Sequence, residues 1–194
     1  MSTTQPIRNQ EDLQCFKEYY QAEKPCTRNY ALCIMGLNTA LRISDILRLK
    51  WKDVYDFSRN TLLSHITVTE QKTGKINRIA VNTTLGEALM LLYTSQRGLP
   101  GQQDYLFQSR KGENCPLSRS QAFRIVREAA CHTGMEQPVS CHSLRKTFGY
   151  HAWQQGVPPA LLMDIYNHSS YQITKRYLGI EQDDKDNVFL NISL

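Results

Sequence analysis

The chain has 194 residues, 41% of them hydrophobic, with 23 Lys and Arg against 18 Asp and Glu and a formal net charge of +5. This length fits one domain with a real core, and the modest basic excess allows a polyanionic partner without demanding one. The polar start Met1-Ser2-Thr3-Thr4-Gln5-Pro6 reads as no signal peptide, and apolar runs such as Ala31 to Leu37 are too short to span a bilayer, so a cytosolic protein without a membrane partner is expected. The six cysteines (Cys15, Cys26, Cys33, Cys115, Cys131, Cys141) form neither a CxxC nor a zinc-finger spacing with histidine. Reduced thiols are expected, and the N-x-S/T triplets at Asn82, Asn167 and Asn191 then carry no meaning.

In chain order, Asn9 is placed to cap a helix presenting Leu13, Phe16 and Tyr20, which Pro25 ends. A second helix, Arg28 to Leu41, is apolar on most sides and marks the core. Ser44 reads as the cap of a short helix with Ile46, Leu47 and Leu49 inward, leaving Arg42 at a junction between apolar elements. An arginine there is either solvated or held by an anion, because unpaired burial is expensive. Asp45 and Asp53 follow. Thr61 to Thr69 is rich in β-branched residues and reads as a strand, with Ile76 to Val81 as its antiparallel partner. The glycine-bearing tip between them, Glu70-Gln71-Lys72-Thr73-Gly74-Lys75, carries two lysines. Thr84 to Gln96 is an amphipathic helix stopped by Gly98-Leu99-Pro100-Gly101, and Asp104 to Ser109 holds a short apolar patch. Ser118 caps a helix to Cys131 with Phe123, Val126 and Ala130 inward and Arg119, Arg124 and Arg127 on other faces. Such a basic helix suits a DNA surface as well as plain solvation.

The stretch from Cys141 to Leu178 concentrates reactive side chains. His142 and Arg145, three apart, share one helical face. Pro158-Pro159 starts a short helix through Ile165. His168 and Tyr177 are nine apart, which one straight helix would not align, but a turn at Ser169-Ser170 followed by a short helix returns Tyr177 towards His168. A phenol between two imidazoles and a guanidinium suits attack on an anionic tetrahedral centre such as a phosphate.

With these residues placed, the chain resembles the tyrosine recombinase (phage integrase) family. The resemblance rests on Thr39-Ala40-Leu41-Arg42-Ile43-Ser44-Asp45 for the first arginine motif, Lys72 in the hairpin, His142 to Arg145 for the H-x-L-R box, and Tyr166 to Ser170 followed by Tyr177. It covers Asn9 to Ile180 and implies an α+β, mainly helical catalytic domain over residues 1–180 with a small antiparallel β-hairpin or sheet. The tail, 181–194, is a charged spacer ending in Val188, Phe189, Leu190, Ile192 and Leu194; the resemblance implies docking on a neighbouring protomer, against the simpler expectation that it closes its own core. The family's usual glycines are Ala40 and Asn167 here; Ala40 asks for a backbone without positive φ, whereas asparagine tolerates one. The resemblance is to a short form of the family, like the fimbrial-switch recombinases, in which the N-terminal DNA-clamping domain common elsewhere is expected to be missing.

The resemblance implies cleavage and rejoining of double-stranded DNA through a 3′-phosphotyrosyl intermediate at Tyr177, without metal, ATP or other cofactor. Arg42 and Arg145 would clamp the phosphate, His168 would hydrogen-bond it, His142 would exchange a proton with Tyr177, and Lys72 would protonate the leaving oxygen, with Lys75 as runner-up. Asp45 would orient the His142 and Arg42 side, while Lys75, Arg119 and Arg124 would contact DNA. Assembly as a dimer or tetramer on DNA, with a monomer when free, and a bacterial or mobile-element origin are also implied. The competing readings are a non-catalytic DNA-binding regulator, metal-dependent chemistry at Asp45, Asp53 and Asp56, and a plain helix-turn-helix factor. The intact reacting groups, the setting of those acids, and the long gap from Cys131 to His142 argue against them in turn.

Overall fold

A computed structural model describes residues 4–96, 98–135, 138–180, 186 and 189–192. Eight α-helices are found among them, accompanied by two small antiparallel pairs of strands. Asn9 caps α1 (Gln10–Glu18), its side-chain oxygen accepting from the amides of Glu11 at 2.7 Å and Asp12 at 3.2 Å. The helix then loosens into a π-helical turn, Tyr19–Glu23, before Pro25, a change of winding that the expected single helix did not contain. The expected core helix is α2 (Thr27–Asn38), three residues shorter at its end than Leu41, with Ala31, Leu32, Ile34 and Met35 fully buried. It packs against α4 (Thr83–Thr94), capped by Asn82, and against α6 (Cys141–Gln154).

Three local expectations are corrected. The short helix α3 (Ile43–Ile46) starts two residues earlier than a Ser44 cap would set it: Arg42, in extended conformation, is the N-cap residue, which fixes its stem at the helix entrance. The strand expected over Thr61 to Thr69 is broken. Thr61–Leu62 (β2) pairs with Tyr55–Asp56 (β1), whereas His65–Thr69 (β3) pairs with Ile76–Ala80 (β4) in register from His65 with Ala80 to Thr69 with Ile76. On α5 (Arg119–His132), set by a Ser118–Gln121 capping box, Phe123 is 42% exposed, and the inward face is Ala122, Ile125, Val126, Ala129 and Ala130.

The last helices, α7 (Pro159–Tyr166) and α8 (Tyr171–Leu178), close a second, smaller core of Ala40, Leu162, Tyr166 and Leu178 beside the main one. Gly149 of α6 lets them approach; a Cβ there would lie 2.1 Å from Tyr166 Oη and 2.6 Å from Leu178 Cδ2. The N-terminal segment straps these elements together: the Ile7 amide donates to Thr147 Oγ1 at 2.9 Å, His151 Nε2 meets the Ile7 carbonyl at 2.9 Å, and Arg8 donates to the carbonyl of Gly179 just past α8. Among the described residues no helix is long and apolar enough to cross a membrane. The expected docking tail falls largely outside the described residues; of those described, Phe189, Leu190 and Ile192 are exposed.

Candidate active site

The site begins at the first turn of α6. Ser140 caps this helix through a box with Ser143, which places His142 and Arg145 on one face. Arg145 is 2% exposed, and its guanidinium donates to the carbonyls of Ala40 and, at 3.0 Å, Tyr166. The group is thus locked between the end of α2 and the end of α7, lying 4.8 Å over the Tyr166 ring. The Ala40 carbonyl can point there because Ala40 has φ 54°, which corrects the expectation that alanine excludes positive φ. The strain is carried by surrounding packing, Ala40 being 2% exposed.

Asn167 ends α7 in left-handed conformation, φ 54° and ψ 43°, as its residue type allows. The reversal sets His168 with Nδ1 at 3.0 Å from Thr174 Oγ1 and its ring stacked 5.2 Å from Tyr166. Ser170 then caps α8, and Tyr177 returns as the spacing required: its ring meets the rings of His142 at 4.9 Å and His168 at 5.0 Å, both edge-on. Tyr166 is buried and packs 4.9 Å from it, as a packing residue should, whereas Tyr171 is 43% exposed. The Tyr177 hydroxyl is buried and makes no hydrogen bond of ordinary geometry. Burial pushes its pKa up to about 12, against the pull of the Arg145 and Arg42 charges.

Both imidazoles are held neutral at pH 7. For His142, whose outer edge stays open, desolvation of the packed side and then the charges of Lys146, Arg145 and Arg42 lower the pKa to about 4. For His168 desolvation and the same two arginines lower it to about 4. A neutral imidazole can accept a phenolic proton, which an imidazolium cannot. Lys146 was missed in the sequence. It is 7% exposed, donates to the Thr4 carbonyl, and places Nζ 5.7 Å from the centre of the Tyr177 ring. Its spacing of four from His142 on one helix was the available signal.

Arg42 is paired, not solvated: Nη1 lies 2.6 Å from Glu70 Oε2. Glu70 opens the hairpin tip that carries the two lysines, yet its side chain has no exposure. It also accepts from Thr73 Oγ1 at 2.7 Å and Asn77 Nδ2 at 2.9 Å, and Arg145 Nη1 is 3.9 Å away. Burial would raise its pKa, but the hydrogen bonds from Thr73 and Arg42 and the two arginine charges together hold it below the usual carboxylate range. Asp45 is 3% exposed and accepts from the Gln71 amide at 3.0 Å. Its hydrogen bond therefore positions the Lys72 loop, where the expectation was a role toward His142 and Arg42.

Beside these groups opens a cleft of about 420 Å³ lined by Arg42, Lys72, Arg119, His142 and Arg145. Tyr177 and His168 adjoin it from behind rather than lining it. Lys72 and Lys75 are exposed on the hairpin, but only Lys72 reaches the cleft wall. Arg119, at the start of α5, does so too; Arg124 is exposed one turn further along and does not. The acids considered for metal binding are committed elsewhere: Asp53 accepts from the Lys50 amide at 2.8 Å and Asp56 from Ser58 Oγ at 2.6 Å. Among the described residues no three His, Cys, Asp or Glu side chains cluster as a metal site.

Residues 9–183 match the phage integrase family. The chain is 42% identical over 183 residues to the "Probable integrase/recombinase YoeC" of Bacillus subtilis, covering 94% of this chain and 93% of that protein. It is 30% identical over 158 residues to a "Tyrosine recombinase" of Pseudothermotoga lettingae, covering 81% of this chain but only 51% of that longer relative. Among solved structures, the XerA recombinase superposes with a TM-score of 0.78 at 21% identity, over 98% of this chain and 67% of that one, a likeness of fold. The chain belongs to the phage integrase family and has the fold of a tyrosine recombinase catalytic domain.

Proposed function

We propose that this protein is a site-specific DNA recombinase that cuts and rejoins strands through a covalent bond to Tyr177. The observation that carries the reading is the setting of that phenol, edge-on to two neutral imidazoles and adjoining a cleft walled by Arg42, Arg145 and Lys72. A phosphodiester in the cleft meets guanidinium donors on its non-bridging oxygens, where charge accumulates during transfer. Tyr177 Oη attacks phosphorus and the bond to the 5′-oxygen breaks. The phenolic proton passes to His142, and Lys72 gives a proton to the departing oxygen, leaving a 3′-phosphotyrosine and a 5′-hydroxyl. Attack by a 5′-hydroxyl of another strand reverses each transfer. Neither a metal nor a cofactor takes part in this scheme. Because the hydroxyl is buried behind the cleft, the scheme includes an advance of α8 towards the DNA.

Arg119, beside the cleft, and the exposed Lys75 and Arg124 would contact flanking phosphates. The exposed Phe189, Leu190 and Ile192 would dock on a neighbouring protomer when copies assemble on DNA. The test uses a pool of nicked suicide duplexes with randomised cores, incubated with the full chain in the presence of a chelator. A covalent protein–DNA adduct is expected, recoverable for sequencing of its DNA and absent for Tyr177→Phe. An adduct that persists in Tyr177→Phe would assign the nucleophile elsewhere, and binding without any adduct would favour a DNA-binding regulator.

A further inference from the structure

Three guanidinium groups, of Arg42, Arg119 and Arg145, and the Lys72 ammonium face one cleft, and like charges so placed repel one another unless an anion stands between them. That anion is Glu70. Its Oε2 joins Arg42, at the N-cap of α3, to Thr73, next to Lys72, at 2.6 and 2.7 Å. Its Oε1 joins Asn77 of β4 at 2.9 Å and stands 3.9 Å from Arg145 of α6. Its backbone closes the same loop, the amide donating to the Lys75 carbonyl at 2.9 Å and the carbonyl accepting from the Gly74 amide at 2.8 Å.

A hairpin tip does not need a fully buried carboxylate, and a buried ion pair is seldom more stable than apolar packing of the same volume. What such a pair does supply is a fixed arrangement of its partners. We infer that Glu70 is a positioning residue for the phosphate site: one buried carboxylate sets the Arg42 guanidinium, holds it close to Arg145, and ties both to the loop that carries Lys72. Arg145 has its own backbone anchors at Ala40 and Tyr166, but no other hydrogen bond of the Arg42 side chain is seen among the described residues, so Arg42 depends most on Glu70. The inference rests on the proposed strand cleavage for its kinetic consequences. The placement of Arg42 can be read without it.

The experiment compares wild type with Glu70→Gln, which keeps the shape and removes the charge, and with Thr73→Val, which cuts only the tie to the exposed loop. Thermal denaturation first establishes that each variant folds. On the duplex recovered with wild type, Glu70→Gln is expected to lower the adduct rate at saturating DNA by at least about tenfold, as loss of alignment does. The half-saturating DNA concentration should change less than about threefold, since the charges that attract the backbone remain. Thr73→Val should slow cleavage of the ordinary substrate and recover with a sulfur leaving group, which needs little protonation. Glu70→Gln should recover only in part, because Arg42 is also released. Independently of DNA, the heteronuclear NOE of the Arg42 Nε–H group should report a rigid side chain in wild type and a mobile one in Glu70→Gln. If Glu70→Gln folds, keeps Arg42 rigid and cleaves within about twofold of wild type, the inference is overturned. If wild type forms no adduct, the cleavage reading fails on its own, and the Arg42 measurement still decides what Glu70 does.

Discussion

Two glycines inside helices give predictions of opposite sign. Each would gain about 1 kcal/mol of helix propensity on replacement by alanine. At Gly86 of α4 the new methyl would meet Leu62 Cδ1 at 3.7 Å and Val81 Cγ1 at 3.8 Å, ordinary contacts, so Gly86→Ala should be more stable by ~0.5–1 kcal/mol. At Gly149 of α6 the methyl would stand 2.1 Å from Tyr166 Oη, 2.8 Å from Tyr166 Cε2 and 2.6 Å from Leu178 Cδ2. Tyr166 cannot swing away freely: it is fully buried, its hydroxyl donates to the Arg145 carbonyl at 2.8 Å, and Arg145 lies on its face. Overpacking typically costs ~1–3 kcal/mol and more where backbone must shift; for an approach as short as 2.1 Å we take ~2–4 kcal/mol, so a net loss of ~1–3 kcal/mol remains after the propensity gain. At ~3 °C per kcal/mol for a chain of this size, Gly149→Ala should melt ~3–9 °C lower and Gly86→Ala slightly higher. Differential scanning calorimetry on the two variants measures both. The shift of Tyr166 would also displace Arg145 and the Tyr177 helix, so adduct formation should fall in Gly149→Ala alone. Equal melting temperatures for the two variants would refute the close approach of α7 and α8 to α6.

Ala40→Gly should change stability by less than about 1 kcal/mol, because relief of the left-handed conformation offsets the lost methyl and the looser unfolded chain; urea denaturation showing a loss above ~2 kcal/mol would contradict φ 54° at this position. Lys72→Ala should slow adduct formation by about 10²-fold or more and be rescued by a 5′-bridging sulfur, whereas Lys75→Ala should mainly weaken DNA binding; rescue of Lys75→Ala alone would exchange the two roles. In NMR titrations of the free protein, His142 and His168 should take up protons near pH 4, below the ordinary 6.5. Since the unfolded chain binds these protons first, their contribution to stability is present above about pH 6.5 and is lost as pH falls towards 4; midpoints near 6.5 would place both rings in water.

Several elements were legible because each is set by local chemistry: caps at Asn9 and Ser118, a proline at the start of α7, a left-handed asparagine at its end, and the turn at Ser169-Ser170 before α8. The spacing of His168 and Tyr177 required a turn, and the turn is there. What stayed hidden depends on distant partners. Glu70 reads as one more polar residue of the hairpin tip, ahead of Lys72 and Lys75, until Arg42, 28 residues away, closes over it. Asp45 finds its partner 26 residues on, in the Gln71 amide, for the same reason. Phe123 fits an inward stripe with Val126 and Ala130, but the neighbouring stripe of Ala122, Ile125 and Ala129 allows closer packing and leaves the larger ring outside. Ala40 adopts a conformation its residue type disfavours because burial and the Arg145 contact hold it there.

The division of the interior into two apolar clusters also bears on how the molecule breathes. Helices α7 and α8 are closed mainly by the small cluster of Leu162, Tyr166 and Leu178 with Ala40, while α2 and its neighbours share the large one. Opening the small cluster exposes far less apolar surface, so its amides should exchange with solvent through sub-global fluctuations well below the free energy of complete unfolding. Tyr177 and His168 ride on that readily released unit, whereas Arg42 and Arg145 start from elements anchored in the large cluster. Tyr177, the proposed nucleophile, would thus be mounted on the segment of lower local stability, and the groups that would receive the phosphate on the more rigid one.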